Sequence, residues 1–296
     1  MFRPTILVVN DDGIQSPGLR AAVETVRAFG DVVVTAPTRQ QTALGRGMVG
    51  NQDDFFHPVD LKLPGGMDGV RAWHLDASPA LVVQHALTVL FPDHLPSLVV
   101  SGINYGENLS TDVGASGTVG AAFEAASRGI PALAVSRQTA VEHHYEYADL
   151  DWTDAQRVLA GWLERVTTYL FGPSGTPEHP GRGGTHGSGA GVHAPLPFDV
   201  LKIDVPDPCP PGTEERLTRL ARKGYLQFHV DNPSPDSPLK ASRVVIDVDP
   251  RRYQPDDDVY ALAVDQVVAV TPLKSDWTAS VDRFDPLFSR VGAPVV

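Results

Sequence analysis

Short apolar runs alternate with stretches of helical spacing through the first half of the chain. Thr5–Val9 is β-branched and apolar, which predicts a strand, and it runs straight into the polar turn Asn10-Asp11-Asp12-Gly13. Leu19–Phe29 carries apolar residues at helical spacing, with Gly30 as its stop. Asp31–Ala36, closed by Pro37, predicts a second strand; Ser97–Ser101 predicts a third and Ile130–Ser136 a fourth. Pro79, behind Ser78 as cap, opens a helix that runs to Leu90. Ser116–Gly129 and Asp151–Tyr169 read as two more helices, the latter with the stripe Trp152, Val158, Leu159, Trp162, Leu163 and Val166. Apolar strands separated by helices are what a parallel sheet covered on both faces requires, so the fold class is α/β with a mostly parallel sheet.

The rhythm changes elsewhere. Between Gly45 and Ala72 the helical period fails, and a weak alternation around His57–Leu63 predicts a long β-like excursion from the main sheet. Gly172–Gly191 is rich in Gly, Pro and Ser, and it cannot bury enough to repay its ordering entropy; an exposed loop is expected there. His179, His186 and His193 lie in or beside it, but nothing rigid spaces them as a metal site. Strand-like runs return at Val200–Val205, Tyr225–Val230 and Val244–Val248. Tyr260–Val264 and Val267–Thr271, around Asp265-Gln266, predict a hairpin.

Composition narrows the classes. The chain has 296 residues, 42 % of them hydrophobic, enough for a core and inconsistent with general disorder. Its net charge of −12, with no Lys/Arg cluster, argues against a protein that binds nucleic-acid duplexes through broad electrostatics. A small phosphorylated substrate remains open, because a local cation can hold it. The single cysteine, Cys209, excludes an internal disulfide and a thiolate metal cluster. The acidic turn directly after the first apolar run reads as a strand end and not a signal peptide, and the apolar window Pro79–Phe91 is too short to span a bilayer. A soluble, cytoplasmic protein is expected.

Candidate chemistry gathers at predicted strand ends, which is where open α/β sheets bind ligands. Asp11 and Asp12 follow the first strand, and two adjacent carboxylates form a hard oxygen site suited to Mg²⁺ or Mn²⁺. The same residues also favour a plain tight turn. The third strand ends in Ser101-Gly102-Ile103-Asn104-Tyr105-Gly106-Glu107-Asn108, where Asn104 stands at the height of Asp11 and offers another oxygen. Thr42, after the second strand, is placed to point a hydroxyl at the same site. Gly114-Ala115-Ser116-Gly117-Thr118 opens a helix with small residues whose amides can approach an anion. There is neither a Walker A motif nor a GxGxxG after the first strand. A carboxylate pair facing an anion pocket points to hydrolysis of a phosphate ester. His74, His85 and His229 all have ordinary core or surface readings.

These blocks resemble the SurE family, the survival protein E or stationary-phase survival 5′-nucleotidases. The resemblance rests on ILVVNDDGIQSPGL at Ile6–Leu19, VVVTAPTRQQTA at Val32–Ala43, SGINYGENLSTDVGASGTVGAAFEAASRGIPALAVS at Ser101–Ser136 and VYALAVDQVVAVTPL at Val259–Leu273, with LKIDVP at Leu201–Pro206 as a weaker fifth. It implies a Rossmann-like three-layer core with β-hairpin excursions in one domain spanning 1–296. It also implies a C-terminal extension, here 244–296, exchanged between subunits in a homodimer or homotetramer. The implied activity is a divalent-metal-dependent phosphomonoesterase acting on nucleoside 5′- or 3′-monophosphates, with one Mg²⁺ or Mn²⁺ per subunit. The family ligands fall on Asp11, Asp12 and Asn104, with Thr42 in place of a serine; the anion-binding segment falls on Ser116, Gly117 and Thr118, and Asn108 matches an asparagine of the same loop. Gly13 is expected to turn its backbone N–H toward phosphate. Asp11, Asp12 and Asn104 are the expected catalytic set, with water as the favoured nucleophile and attack by an aspartate as the alternative. Ala115 stands where the family usually has Tyr, and Leu81 where it has an acidic residue, which puts substrate range in question. The competing readings are a metal-dependent hydrolase of another small substrate and an inactive oligomeric binding protein.

Overall fold

In the computed structural model, which describes residues 3–140, 143, 147–172, 196–246 and 248–278, the strand β1 (Thr5–Val9) lies in the interior of a nine-stranded sheet. Its residues alternate between two cores. Ile6 and Val8 pack beneath helices α1 (Pro17–Val26) and α4 (Thr153–Phe171), while Leu7 and Val9 pack beneath α2 (Pro79–Val89) and α3 (Gly117–Ala126). That alternation is the period-two geometry of a strand buried on both faces, and it makes the three layers.

The remaining strands are β2 (Asp31–Pro37), β3 (His57–Pro58), β4 (Val70–Leu75), β5 (Leu98–Tyr105), β6 (Ala132–Arg137), β7 (Val200–Val205), β8 (Glu215–Leu217), β9 (Leu226–His229), β10 (Arg243–Ile246) and β11 (Val268–Leu273). The order across the large sheet is β3-β4-β2-β1-β5-β6-β7-β11-β8. All pairings from β4 through β7 are parallel; β3 and β11 run antiparallel to their neighbours β4 and β7. From β1 the chain builds outward through β2 and β4, then returns to add β5 on the other side. The strand order therefore reverses between β1 and β5, and the crevice beyond their carboxyl ends is the place where such a sheet holds ligands.

Three expectations need correction. Most of Gly45–Ala72 is not a β excursion: among the described residues it contributes the two-residue strand His57–Pro58 and an isolated bridge from Gly50 to Ala77, and Val70–Leu75 is a parallel strand of the main sheet. Tyr260–Val264 is a wide helical turn and not half of a hairpin, although Val268–Leu273 is a strand. Its adjacent residues Ala261 and Leu262 are both fully buried. The antiparallel pair that does project from the sheet is β9–β10. The third strand also runs on to Tyr105, so the residues read as its terminal loop finish the strand itself. Beyond Gly172 the predicted 172–191 loop lies outside the described residues, as do His179, His186, His193 and residues 279–296.

Candidate active site

The turn after β1 is built by its own side chains. The Asn10 side chain donates from Nδ2 to the Gly13 carbonyl at 3.1 Å and accepts the Gly13 N–H at Oδ1, at 3.2 Å. That closure projects Asp11 and Asp12 into the crevice, where they are 6 % and 2 % exposed. Asp11 accepts the Thr118 hydroxyl at Oδ1, at 2.5 Å. Asp12 accepts the Tyr105 N–H at 3.2 Å and the Gln40 side-chain amide at 3.1 Å. The Tyr147 hydroxyl donates to the Asp12 carbonyl at 2.5 Å. No Lys, Arg or His among the described residues forms an ion pair with either carboxylate.

Burial without a cation sets the electrostatics. Desolvation pushes Asp12 well above the usual carboxylate range, and the neighbouring Asp11 charge pushes in the same direction. Asp11 is raised too, because burial outweighs the hydrogen bonds from Thr118 and the amides at the start of α3. Two anions in this position call for a positive partner.

Asn104 supplies the next oxygen. The pairing of β5 with β6 slips between Ser101 and Asn104, which re-aims the strand end. Gly102 makes the slip sterically possible: its φ is +129°, and a Cβ there would stand 2.2 Å from the Val135 carbonyl. The Asn104 Nδ2 donates to the carbonyls of Tyr105 and Gly106 at 3.1 and 2.7 Å, which fixes the amide with Oδ1 left for other partners.

Asp11, Asp12, Thr42, Asn104, Asn108, Ala115 and Ser116 all border one cavity of about 190 Å³. The loop that carries Thr42 is held over α3 by the Gly45 N–H to the Ala115 carbonyl, at 2.8 Å, and by Arg46 on buried Glu124, at 2.8 Å. Asn108 is pinned by its N–H to Asp204 and its Nδ2 to the Ser136 hydroxyl, both at 2.8 Å. Three predicted phosphate residues sit differently. The Gly13 N–H is engaged by Asn10, and Gly13, Gly117 and Thr118 do not border the cavity. Gly117 instead lets α3 approach: a Cβ there would lie 2.6 Å from the Asp11 Cβ. Leu81 packs against the core and does not border the cavity. His74, His85 and His229 are likewise engaged elsewhere, with Thr38, Phe56 and Asp231.

Sequence reasoning missed the second wall and its support. Glu107, Leu109, Asp112, Tyr225, Leu226, Phe228 and Val244 close the cavity opposite the aspartates. Behind them lies a fully buried cluster in which the Lys202 ammonium bridges Asp204 and Asp258, the latter at 3.1 Å. Asp258 accepts the N–H groups of Ser110, Ala221 and Val259, so the cluster ties the loop after β5 to the C-terminal third. Lys202 and Asp204, two charged residues in an otherwise apolar strand, were the sequence signal available.

The residues fit a divalent cation. Two carboxylates, a fixed amide oxygen and a hydroxyl form a hard, all-oxygen donor set of the kind that Mg²⁺ and Mn²⁺ take. The family model described as "Survival protein SurE" matches residues 6–227. The chain belongs to the SurE family. It is 34 % identical over 281 residues to the "5'-nucleotidase SurE" of Methanocella arvoryzae, covering 93 % of each chain. It is 35 % identical to the protein of that name from Thermococcus kodakarensis, over 94 % of this chain and 95 % of that one, and 35 % identical to that from Methanopyrus kandleri, over 97 % of each. The crystal structure of the SurE protein from Aquifex aeolicus superposes with a TM-score of 0.69 at 24 % identity, over 98 % of this chain and 100 % of that one, which establishes a shared fold. SurE membership implies a divalent-metal cofactor in general, in agreement with the donor set. No helix among the described residues is long and apolar enough to cross a membrane.

Proposed function

We infer that this chain is a divalent-metal-dependent 5′-nucleotidase, hydrolysing the phosphomonoester of a nucleoside monophosphate to nucleoside and phosphate. The observation that carries this reading is the buried Asp11–Asp12 pair, uncompensated by any described cation, at the β1/β5 crevice of a SurE chain. The names of the relatives from Methanocella arvoryzae, Thermococcus kodakarensis and Methanopyrus kandleri support the same activity.

Asp11, Asp12, Asn104 and Thr42 would hold one Mg²⁺ or Mn²⁺ per subunit. When bound, that ion neutralises the carboxylates and acts as a Lewis acid on the phosphoryl group. Asp11, Asp12 and Asn104 form the catalytic set, with water as the nucleophile; the bond from phosphorus to the sugar oxygen breaks and the nucleoside leaves. Ser116 and Asn108 contact the phosphate from the cavity wall. Ser116 also caps α3, accepting the Val119 N–H at 3.1 Å, which places the positive end of the helix at the site. Gly117 and Thr118 act through Asp11, and Gly13 through the turn that presents both aspartates.

The larger assembly belongs to the same proposal. Leu217, Phe228, Leu239 and Trp277 are large apolar residues more than two-thirds exposed, all in the C-terminal third. They support a homodimer or homotetramer in which the 244–296 extension is exchanged, within a single-domain chain that works in the cytoplasm. Light scattering after size exclusion reads the subunit number, and a monomer at micromolar concentration overturns the exchange. The activity itself is tested by phosphate release from a panel of nucleoside monophosphates with and without Mg²⁺ or Mn²⁺. Metal-dependent release is expected; turnover of none of them, while metal still binds, rejects the assignment.

A further inference from the structure

The cavity has two chemically different halves. One is the oxygen-rich floor of Asp11, Asp12, Thr42, Asn104 and Ser116, and the other is the largely apolar wall of Leu109, Tyr225, Leu226, Phe228 and Val244. Glu107 sits among the wall residues and is 8 % exposed. Its Oε1 accepts the Tyr225 hydroxyl at 2.6 Å. Its Oε2 is shut off from solvent and has no hydrogen-bond partner among the described residues. No Lys, Arg or His ion pair among those residues involves it.

The partner that holds Glu107 is itself rigid. The Tyr225 N–H donates to Asp112 at 2.9 Å, and the next amide, of Leu226, donates to the same carboxylate oxygen at 2.8 Å. Burial and the Glu107 charge keep the Tyr225 hydroxyl protonated, so it remains the donor. Oε2 thus lacks a donor on a residue that borders the cavity, and a small turn of the carboxylate about the Tyr225 hydrogen bond presents it to a ligand donor. A buried acceptor left without a donor is destabilising, and a ligand donor recovers that loss on binding.

We propose that Glu107 is a specificity-determining residue that accepts a hydrogen bond from the nucleoside part of the substrate, from a sugar hydroxyl or a base amino group. This rests on the nucleotidase reading above and adds the group that tells a nucleotide from a simple phosphate ester. Tyr225 is its positioning residue. Glu107→Gln is the informative change: the Tyr225 hydroxyl keeps the amide oxygen, so the amide NH₂ takes the place of Oε2 and turns an acceptor into a donor.

The test compares AMP, 2′-deoxy-AMP, purine riboside 5′-monophosphate and p-nitrophenyl phosphate with wild type, Glu107→Gln and Tyr225→Phe. Glu107→Gln lowers kcat/KM for AMP by about 10- to 100-fold and leaves p-nitrophenyl phosphate within about twofold. If the donor is the 2′-hydroxyl, the loss disappears with 2′-deoxy-AMP; if it is the base amine, it disappears with the purine riboside; a loss that persists with both assigns the 3′-hydroxyl. Tyr225→Phe gives the same substrate pattern at smaller size. Parallel losses on AMP and p-nitrophenyl phosphate, or no loss on either, overturn the proposal. Calorimetric binding of adenosine supplies a readout that needs no turnover. Adenosine binding weakened by Glu107→Gln in a protein that hydrolyses none of the esters leaves this proposal standing and rejects the nucleotidase; binding that Glu107→Gln does not change rejects this proposal alone.

Discussion

Two pairs of buried aspartates stand within the same C-terminal edge of the sheet, and they have opposite surroundings. Asp204 and Asp258 share the Lys202 ammonium, and their remaining oxygens are filled by backbone amides of Asn108, Ser110, Ala221 and Val259. Asp11 and Asp12 have hydrogen bonds but no described cation, and they open onto a cavity. The first pair is satisfied from within and organises the fold; the second is left to be completed from outside. Identical side chains at similar burial therefore divide into scaffold and site according to whether the chain supplies the counter-charge.

The largest effect expected from this contrast is on turnover. Asp12→Asn lowers phosphate release from AMP by about 10³-fold or more, because the cation site and its Lewis-acid chemistry go together. Its effect on stability runs the other way. In the presence of a chelator the variant is more stable than wild type, by about 1 kcal/mol or more, since a disfavoured buried charge has been removed; urea denaturation reads this, and a less stable metal-free variant breaks the comparison. Lys202→Met shows the reverse pattern. It costs about 3–5 kcal/mol of folding stability by leaving two carboxylates unpaired in the core, and any loss of activity follows loss of folded protein.

A smaller effect sharpens the geometry. Gly117→Ala inserts a methyl against Asp11 and displaces the carboxylate, costing about 10²-fold in kcat with little change in urea midpoint. The smallest prediction concerns pH. Burial pushes Asp204 up to about 6 even with Lys202 beside it, because one ammonium serves two carboxylates. The folded state then binds more protons than the unfolded state above the ordinary carboxylate range, so this group's contribution to stability falls as pH rises from about 4 to 6. Asp204→Asn removes that part of the slope in urea titrations at stepped pH, and an unchanged slope contradicts the assignment.

Sequence pattern revealed the centre of the molecule better than its periphery. β1, β2, β6 and β7 each carry a run of apolar residues because both their faces are covered, and that signal survives without neighbours even though β7 also holds Lys202 and Asp204. β4 was hidden because Arg71 and His74 interrupt its apolar run at a sheet position next to the edge. The Tyr260–Val264 turn imitated a strand because a short apolar run beside a polar Asp265-Gln266 pair fits a buried helical turn as well as a hairpin arm. The floor of the cavity was legible for a local reason: Asp11, Asp12 and Asn104 lie at strand ends where polar residues interrupt apolar runs. The wall was not, because Glu107 meets Tyr225 across 118 positions of sequence, and those segments are brought together by tertiary bonds, the Asp112 carboxylate on the Tyr225 and Leu226 amides and the buried Lys202 cluster among them.

The central claim is that the Asp11–Asp12 pair is a cation site on which hydrolysis depends. The most direct test is phosphate release from AMP by wild type and Asp12→Asn after exhaustive chelation, followed by stepwise return of Mn²⁺ with binding measured calorimetrically in parallel. The account predicts that chelated wild type is inactive and regains turnover in step with occupancy of one site per chain, while Asp12→Asn neither binds nor recovers. Undiminished hydrolysis by the chelated wild type, or full recovery by Asp12→Asn, would contradict it.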